Sequence, residues 1–84
     1  MSDLKKKFED AAAAVKKLKE DPGNEAKLKL YALYKQGSEG DVQGKRPGFT
    51  DMVGRAKYDA WAKVKGVSQD DAMKQYVDLV KSLG

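Results

Sequence analysis

The stretch Leu28-Lys29-Leu30-Tyr31-Ala32-Leu33-Tyr34-Lys35-Gln36 decides how the remaining residues must be arranged. Leu28, Leu30, Tyr31, Ala32, Leu33 and Tyr34 do not alternate as a half-buried strand would, and on a helix they cover more than one face. A helix so widely apolar packs between neighbours or covers a ligand with part of its circumference, so the chain is read around it. Within it, Tyr31, Tyr34 and Lys35 stand at i, i+3 and i+4, which brings two phenol rings and an ammonium out on one face within a turn. That face suits a flat ring bearing a phosphate. Aromatic pairs at this spacing more often serve packing, and a neighbouring lysine is more often solvated. The rest of the chain must decide between the two.

Upstream, Leu4, Phe8, Ala11, Val15 and Leu18 recur at helical spacing with Ala12 beside them, which predicts an amphipathic helix over residues 3–20. Ser2 is placed to cap it, and Asp3 complements the positive end of its dipole. Its narrow, alanine-rich stripe lets a helix or ligand approach closely. Asp21-Pro22-Gly23-Asn24 breaks the pattern, and the central helix runs from there to about Ser38. Gly37-Ser38-Glu39-Gly40-Asp41 reads as its end, followed by a long loop through Gly44, Lys45, Arg46, Pro47 and Gly48. A third helix, capped by Thr50 or Asp51, repeats Val53, Ala56, Ala60 and Val64, with Lys57, Tyr58 and Trp61 alongside. Gly66 stops it. Ser68 and Asp71 form a capping-box pattern before a last helix striped with Met73, Tyr76, Val77, Val80 and Leu83. Four helices and no strand pattern predict an all-α bundle in which short connections pair neighbours antiparallel and the long loop permits one crossover.

Eighty-four residues fit a single domain over 1–84, one that buries little more than ~60% of its unfolded surface and needs a compact core. No cysteine is present, which removes disulfides and thiolate chemistry and suits a reducing compartment. Histidine is absent too, so the usual general base and the commonest metal ligand are missing, and the chain is expected not to be an enzyme. The basic and apolar start is interrupted by Glu9 and Asp10 and reads as mature protein rather than a leader. No apolar run approaches the length of a membrane span. The net charge of +4 favours an anionic partner: nucleic acid, a phosphorylated small molecule or an anionic membrane surface. Acids intersperse every helix, which argues against a basic recognition helix. What remains is binding by aromatic faces, lysines and an apolar groove, a set suited to a nucleotide with an apolar tail.

The run LYALYKQGSEGD, followed by RPG, AKYDAW, KG, S-x-x-DAM and Tyr76, resembles the acyl-CoA-binding proteins in order and spacing from about Phe8 to Leu83. The resemblance implies a four-helix up-down-down-up bundle that binds medium- or long-chain acyl-CoA reversibly and carries it through the cytoplasm. No cofactor, nucleic acid or stable membrane insertion is implied, and the protein is expected to be a monomer. By resemblance, Tyr34 stacks on adenine, Tyr31, Lys35 and Lys57 hold the ribose 3′-phosphate, and Tyr76 is a further ligand contact. Phe8, Ala12, Val15, Lys16 and Leu28 fall where the family lines the acyl groove or touches the ligand. Three positions depart from the family pattern: Val53 replaces a common lysine, Tyr58 a tryptophan, and Lys27 an apolar residue. Lys27 and Arg55 are the cations available to replace the charge lost at position 53. The competing reading is a small basic helical module for nucleic acid or for a protein partner.

Overall fold

A computed structural model describes residues 2–83, with side chains from Asp3 onward. Among these residues there are four helices and no strand: α1 (Ser2–Val15), α2 (Asn24–Glu39), α3 (Met52–Lys63) and α4 (Gln69–Leu83). The cap expected from the Ser2 side chain lies outside the described residues. α1 is shorter than its periodicity suggests. Beyond Val15 the amides of Lys17 and Leu18 turn to the carbonyls three residues back. Lys16, Lys17, Lys19 and Glu20 are exposed there, so no packing supports further helix, and packing rather than propensity sustains most protein helices.

α2 is the hub. It packs against both α3 and α4, while α1 packs against α4, and the sequential pairs α1/α2 and α3/α4 have at most marginal backbone approach. This corrects the expectation that short connections would pair neighbours. Directions follow from side-chain neighbours. Lys57 lies by Tyr31 and Trp61 by Lys35, so α3 runs parallel to α2. Tyr76 lies by Tyr34, and Met73 by Gly37, so α4 runs antiparallel. α1 runs with α4, since Leu4 shares a groove with Lys74 and Leu18 one with Leu83. The order is up-down-down-up. With extents of 38 × 30 × 15 Å the bundle is flat.

The core is Phe8, Ala11, Leu30, Leu33, Tyr76, Val77 and Val80, with Ala12, Val15, Val64, Met73 and Leu83 packed against it. α3 contributes no fully buried residue, and Val53, read as part of its apolar repeat, is 67% exposed. α2 ends within Gly37–Asp41, as the sequence predicts, at Gly40, whose positive φ of 87° suits glycine. Gly37 is still helical and buried, and a Cβ there would come within 3.1 Å of the Phe8 ring and of Met73. Asp51, not Thr50, caps α3 by accepting the Gly54 amide at 3.0 Å. At α4 the Asp71 amide donates to Ser68 Oγ, which is one half of the expected box.

Gln36, only 1% exposed, closes the end of α2. Its Nε2 donates to Asp41 Oδ1 at 2.8 Å and to the Val67 carbonyl at 2.7 Å, and its Oε1 accepts from Trp61 Nε1 at 3.1 Å. Asp41 Oδ1 also accepts the Gly66 amide at 2.9 Å, and Trp61 Nε1 shares its proton with the Gly40 carbonyl. The long loop is strapped to α3 by a two-pronged Arg46–Asp59 pair and by Tyr58, whose hydroxyl donates to the Gly44 carbonyl.

The Gly66 amide first, then the Gln36 amide, hold the Asp41 carboxyl below its ordinary pKa. Its stabilising contribution is therefore complete above the unfolded value of about 4 and is lost as pH falls through the lower folded value. Thermal melts of the parent and Asp41→Asn should differ most near neutrality and converge in acid; a difference that does not vary with pH would refute the assignment. Gly37→Val should destabilise by about 1–3 kcal/mol in urea titrations, because the overpacked Phe8 and Met73 must shift.

Candidate functional site

Two clusters meet on the outer side of α2. On the side towards α3, Lys57 Nζ stands 5.4 Å and Lys35 Nζ 6.0 Å from the centre of the Tyr31 ring. Lys35 is also 5.6 Å from the Trp61 ring. The parallel run of α2 and α3 produces this arrangement, since Tyr31 and Lys35 are one turn apart on one helix and Lys57 and Trp61 one turn apart on the other. Both ammoniums lie within reach of cation–π attraction to the same ring, so positive charge gathers about Tyr31.

Lys35 is held by Glu39, four residues on, and this ion pair is the main reason its pKa is raised above the ordinary lysine value. Lys57 forms no ion pair among the described residues. The two cations are thus unequal: one is restrained by a carboxylate and the other is open to an incoming anion.

On the side towards α1, Phe8 stacks on Tyr34 with centroids 5.3 Å apart and planes 21° apart, and Tyr76 meets Phe8 edge-on at 5.1 Å. Phe8 and Tyr76 are buried, whereas Tyr34 is 42% exposed. Burial raises the Tyr76 phenol above its ordinary pKa, with nearby Tyr34 adding to the effect, so it remains protonated at neutral pH.

α1 and α2 both pack on α4 with little backbone approach between them. From the Phe8–Tyr34 contact the two helices run oppositely, which sets Val15 on α1 and Leu28 on α2 roughly 10 Å away along the helix axis. Ala12 and Val15 pack on the core, and Leu28 is half-buried.

Of the expected site residues, Lys35 and Lys57 gather about Tyr31, and Phe8, Tyr34 and Tyr76 gather with Ala12 and Val15 packed on the same core, whereas no described contact brings Leu28 into either group. Lys16 is brought into neither group by a described contact: it is exposed, just past the end of α1. Neither cation named as a substitute at position 53 joins the Tyr31 cluster. Lys27 Nζ is paired to Asp21 at 2.8 Å, and the Arg55 guanidinium lies 4.4 Å from the Phe49 ring centre. Trp61 and Glu39 were not singled out from sequence. Trp61 carries the signal that could have found it, lying four residues after Lys57 as Lys35 lies four after Tyr31. Glu39 gives only an i,i+4 charge pattern, common on any exposed helix face.

Residues 5–80 match the family model described as acyl CoA binding protein. The chain is 54% identical over 76 residues to "Acyl-CoA-binding protein homolog 1" of Caenorhabditis elegans, a match covering 90% of this chain and 88% of that protein. It is 51% identical over 78 residues to "Enoyl-CoA delta isomerase 2" of Homo sapiens, where the match covers 93% of this chain but 20% of that protein. Among solved structures, Oryza sativa Acyl-CoA-Binding Protein 2 superposes with a TM-score of 0.91 at 44% identity, covering 95% of this chain and 89% of that one.

Proposed function

The chain belongs to the acyl-CoA-binding protein family, and we propose that it binds fatty acyl-CoA reversibly, without catalysing a reaction, and carries it through the cytoplasm as a monomer. The observation that carries this reading is the Tyr31 ring with both Lys35 of α2 and Lys57 of α3 within 6.0 Å of its centre, alongside the clustered rings of Phe8, Tyr34 and Tyr76. One cluster offers positive charge and the other an apolar surface, which matches a ligand with a phosphorylated head and a long tail. Adenine stacks on the open face of Tyr34, where a stacked base contributes roughly 1–3 kcal/mol. Lys35, Lys57 and the Tyr31 hydroxyl receive the ribose 3′-phosphate. Tyr76 contacts the ligand where head and tail join, and the acyl chain follows Phe8, Ala12, Val15 and Leu28, with Lys16 at the exposed end.

In this reading the head sets the position and the tail sets the selectivity. Each methylene removed from water contributes about 0.8 kcal/mol, or roughly a fourfold gain in affinity, for as long as the apolar surface continues. The thioester, lying between the clusters, is kept from water. Neither nucleic acid nor membrane insertion belongs to the reading. Among the described residues no helix is long and apolar enough to cross a membrane.

The phosphate must compete with Glu39 for Lys35, while Lys57 meets it directly. Titration calorimetry should show palmitoyl-CoA binding far more tightly than free palmitate; equal affinities would refute the proposal. Lys57→Ala should weaken palmitoyl-CoA binding by about 1.5–3 kcal/mol, the usual contribution of a hydrogen bond to a charged group, with helix content unchanged by circular dichroism. Glu39→Gln should act oppositely, tightening binding about twofold, since exposed i,i+4 ion pairs are worth about 0.3–0.5 kcal/mol. Weaker binding in that variant would mean that Glu39 orients Lys35 rather than restraining it.

A further inference from the structure

Phe8 on α1 stacks on Tyr34 on α2, and the two helices run oppositely from that contact. Seven residues along each, two turns and roughly 10 Å away, the same level is reached by Val15 on one helix and by Lys27 on the other. Lys27 also shares the outer face of α2 with Tyr31 and Tyr34, which follow it at i+4 and i+7. A chain laid from the aromatic cluster towards the α1–α2 turn therefore arrives at Lys27.

The ammonium there is fixed. Asp21 Oδ1 accepts the Gly23 amide at 2.8 Å, which sets the carboxylate in the turn, and Asp21 Oδ2 accepts from Lys27 Nζ at 2.8 Å. Lys27 first, then Gly23, hold the Asp21 carboxyl below its ordinary pKa, so it is ionised at neutral pH. The pair joins the segment that follows α1 to the first turn of α2, and the side chains of Lys27 and Asp21 are 54% and 65% exposed. Apolar surface ends at the same level. α1 stops at Val15, and of residues 16–21 only Leu18 is apolar, where it shares a pocket with Leu83 at the end of α4.

An apolar tail gains affinity for each methylene moved from water onto apolar surface, and gains none against ions that keep their hydration. Stripping water from the pair would cost more than a methylene returns.

We propose that the Lys27–Asp21 ion pair is the end-stop of the acyl site and sets the chain length this protein prefers, a role that rests on the acyl-CoA reading of the site. A chain whose terminal methyl reaches the level of Val15 is bound best, and further methylenes stay in water. Lys27 determines specificity by its position and charge. It is not a ligand of the CoA head, because the Tyr31 cluster forms without it and a phosphate that took its ammonium would have to part it from Asp21.

Titration calorimetry with octanoyl-, dodecanoyl-, palmitoyl- and eicosanoyl-CoA tests this. In the parent, affinity should rise with length and then level off. Lys27→Leu replaces the ammonium with apolar surface: octanoyl-CoA should bind within about twofold of the parent, while eicosanoyl-CoA should gain at least ~10-fold, from two further methylenes at about fourfold each. Asp21→Asn keeps an acceptor for the Gly23 amide but releases Lys27 to water, and should move the levelling-off in the same direction by about one methylene, roughly fourfold. An exposed pair contributes little to stability, so circular dichroism should show unchanged helix content in both variants. Equal gains or losses at every chain length would overturn the proposal and make Lys27 a contact of the CoA head. Variant profiles that superpose on the parent's would overturn the end-stop alone, whereas a parent that binds none of these esters would overturn the acyl-CoA reading together with it.

Discussion

The buried amide of Gln36 is the interaction on which the rest of this bundle depends. Four helices of modest apolarity lie in a shallow arrangement, and hydrophobic contact alone would let α3 slide along α2, since α3 buries no residue completely. The Gln36 side chain prevents this by uniting Trp61 at the end of α3, Asp41 in the long loop and Val67 ahead of α4. Both of its amide protons are used, and its oxygen accepts one bond, so the group is well satisfied within a low-dielectric setting. An apolar residue of equal size would leave the Val67 carbonyl and part of the Trp61 and Asp41 bonding without a partner, which costs more than the contact is worth. The register fixed here is the register that sets Lys57 over Tyr31 one turn away.

α2 accordingly has two duties on one circumference. Its inner residues Leu30 and Leu33 join the core, and its outer residues divide between the lysine cluster towards α3 and the aromatic cluster towards α1. Tyr34 lies at the boundary. The separation explains how a small domain can offer both charge and apolar surface: each comes from a different helix pair, and α2 is common to both.

Much of this was legible in the sequence. Periodicity gave four helices, and the i, i+3, i+4 spacing put Tyr31, Tyr34 and Lys35 on a common side, because both depend on local helix geometry. The features that escaped are set by distant partners. Gly37 opens the stretch that reads as the helix end because glycine usually punctuates, yet it is still inside the helix to admit Phe8 and Met73 from elsewhere in the chain. α1 keeps its apolar spacing through Leu18 but loses its helix where no partner supports it. Val53 fits a helical repeat of which only Val64, just past α3, packs against the core. Gln36 lies within the opening stretch, but nothing in its neighbours foretells that Trp61 and Val67 converge on it. The departures were readable only as substitutions; that Tyr58 ties down the Gly44 carbonyl needed the fold.

The parallel course of α2 and α3 imposes a return journey on the chain. After Glu39 it must travel back along the whole of α3, a 12-residue helix about 18 Å long, before that helix can begin. The connecting residues 40–51 could span roughly 40 Å if extended, about twice the distance required. The surplus is gathered against α3 by the Arg46–Asp59 and Tyr58–Gly44 straps rather than left slack. Trimming this segment to the shortest crossing would still connect the helices, but it would strip the outer flank of α3 of its covering.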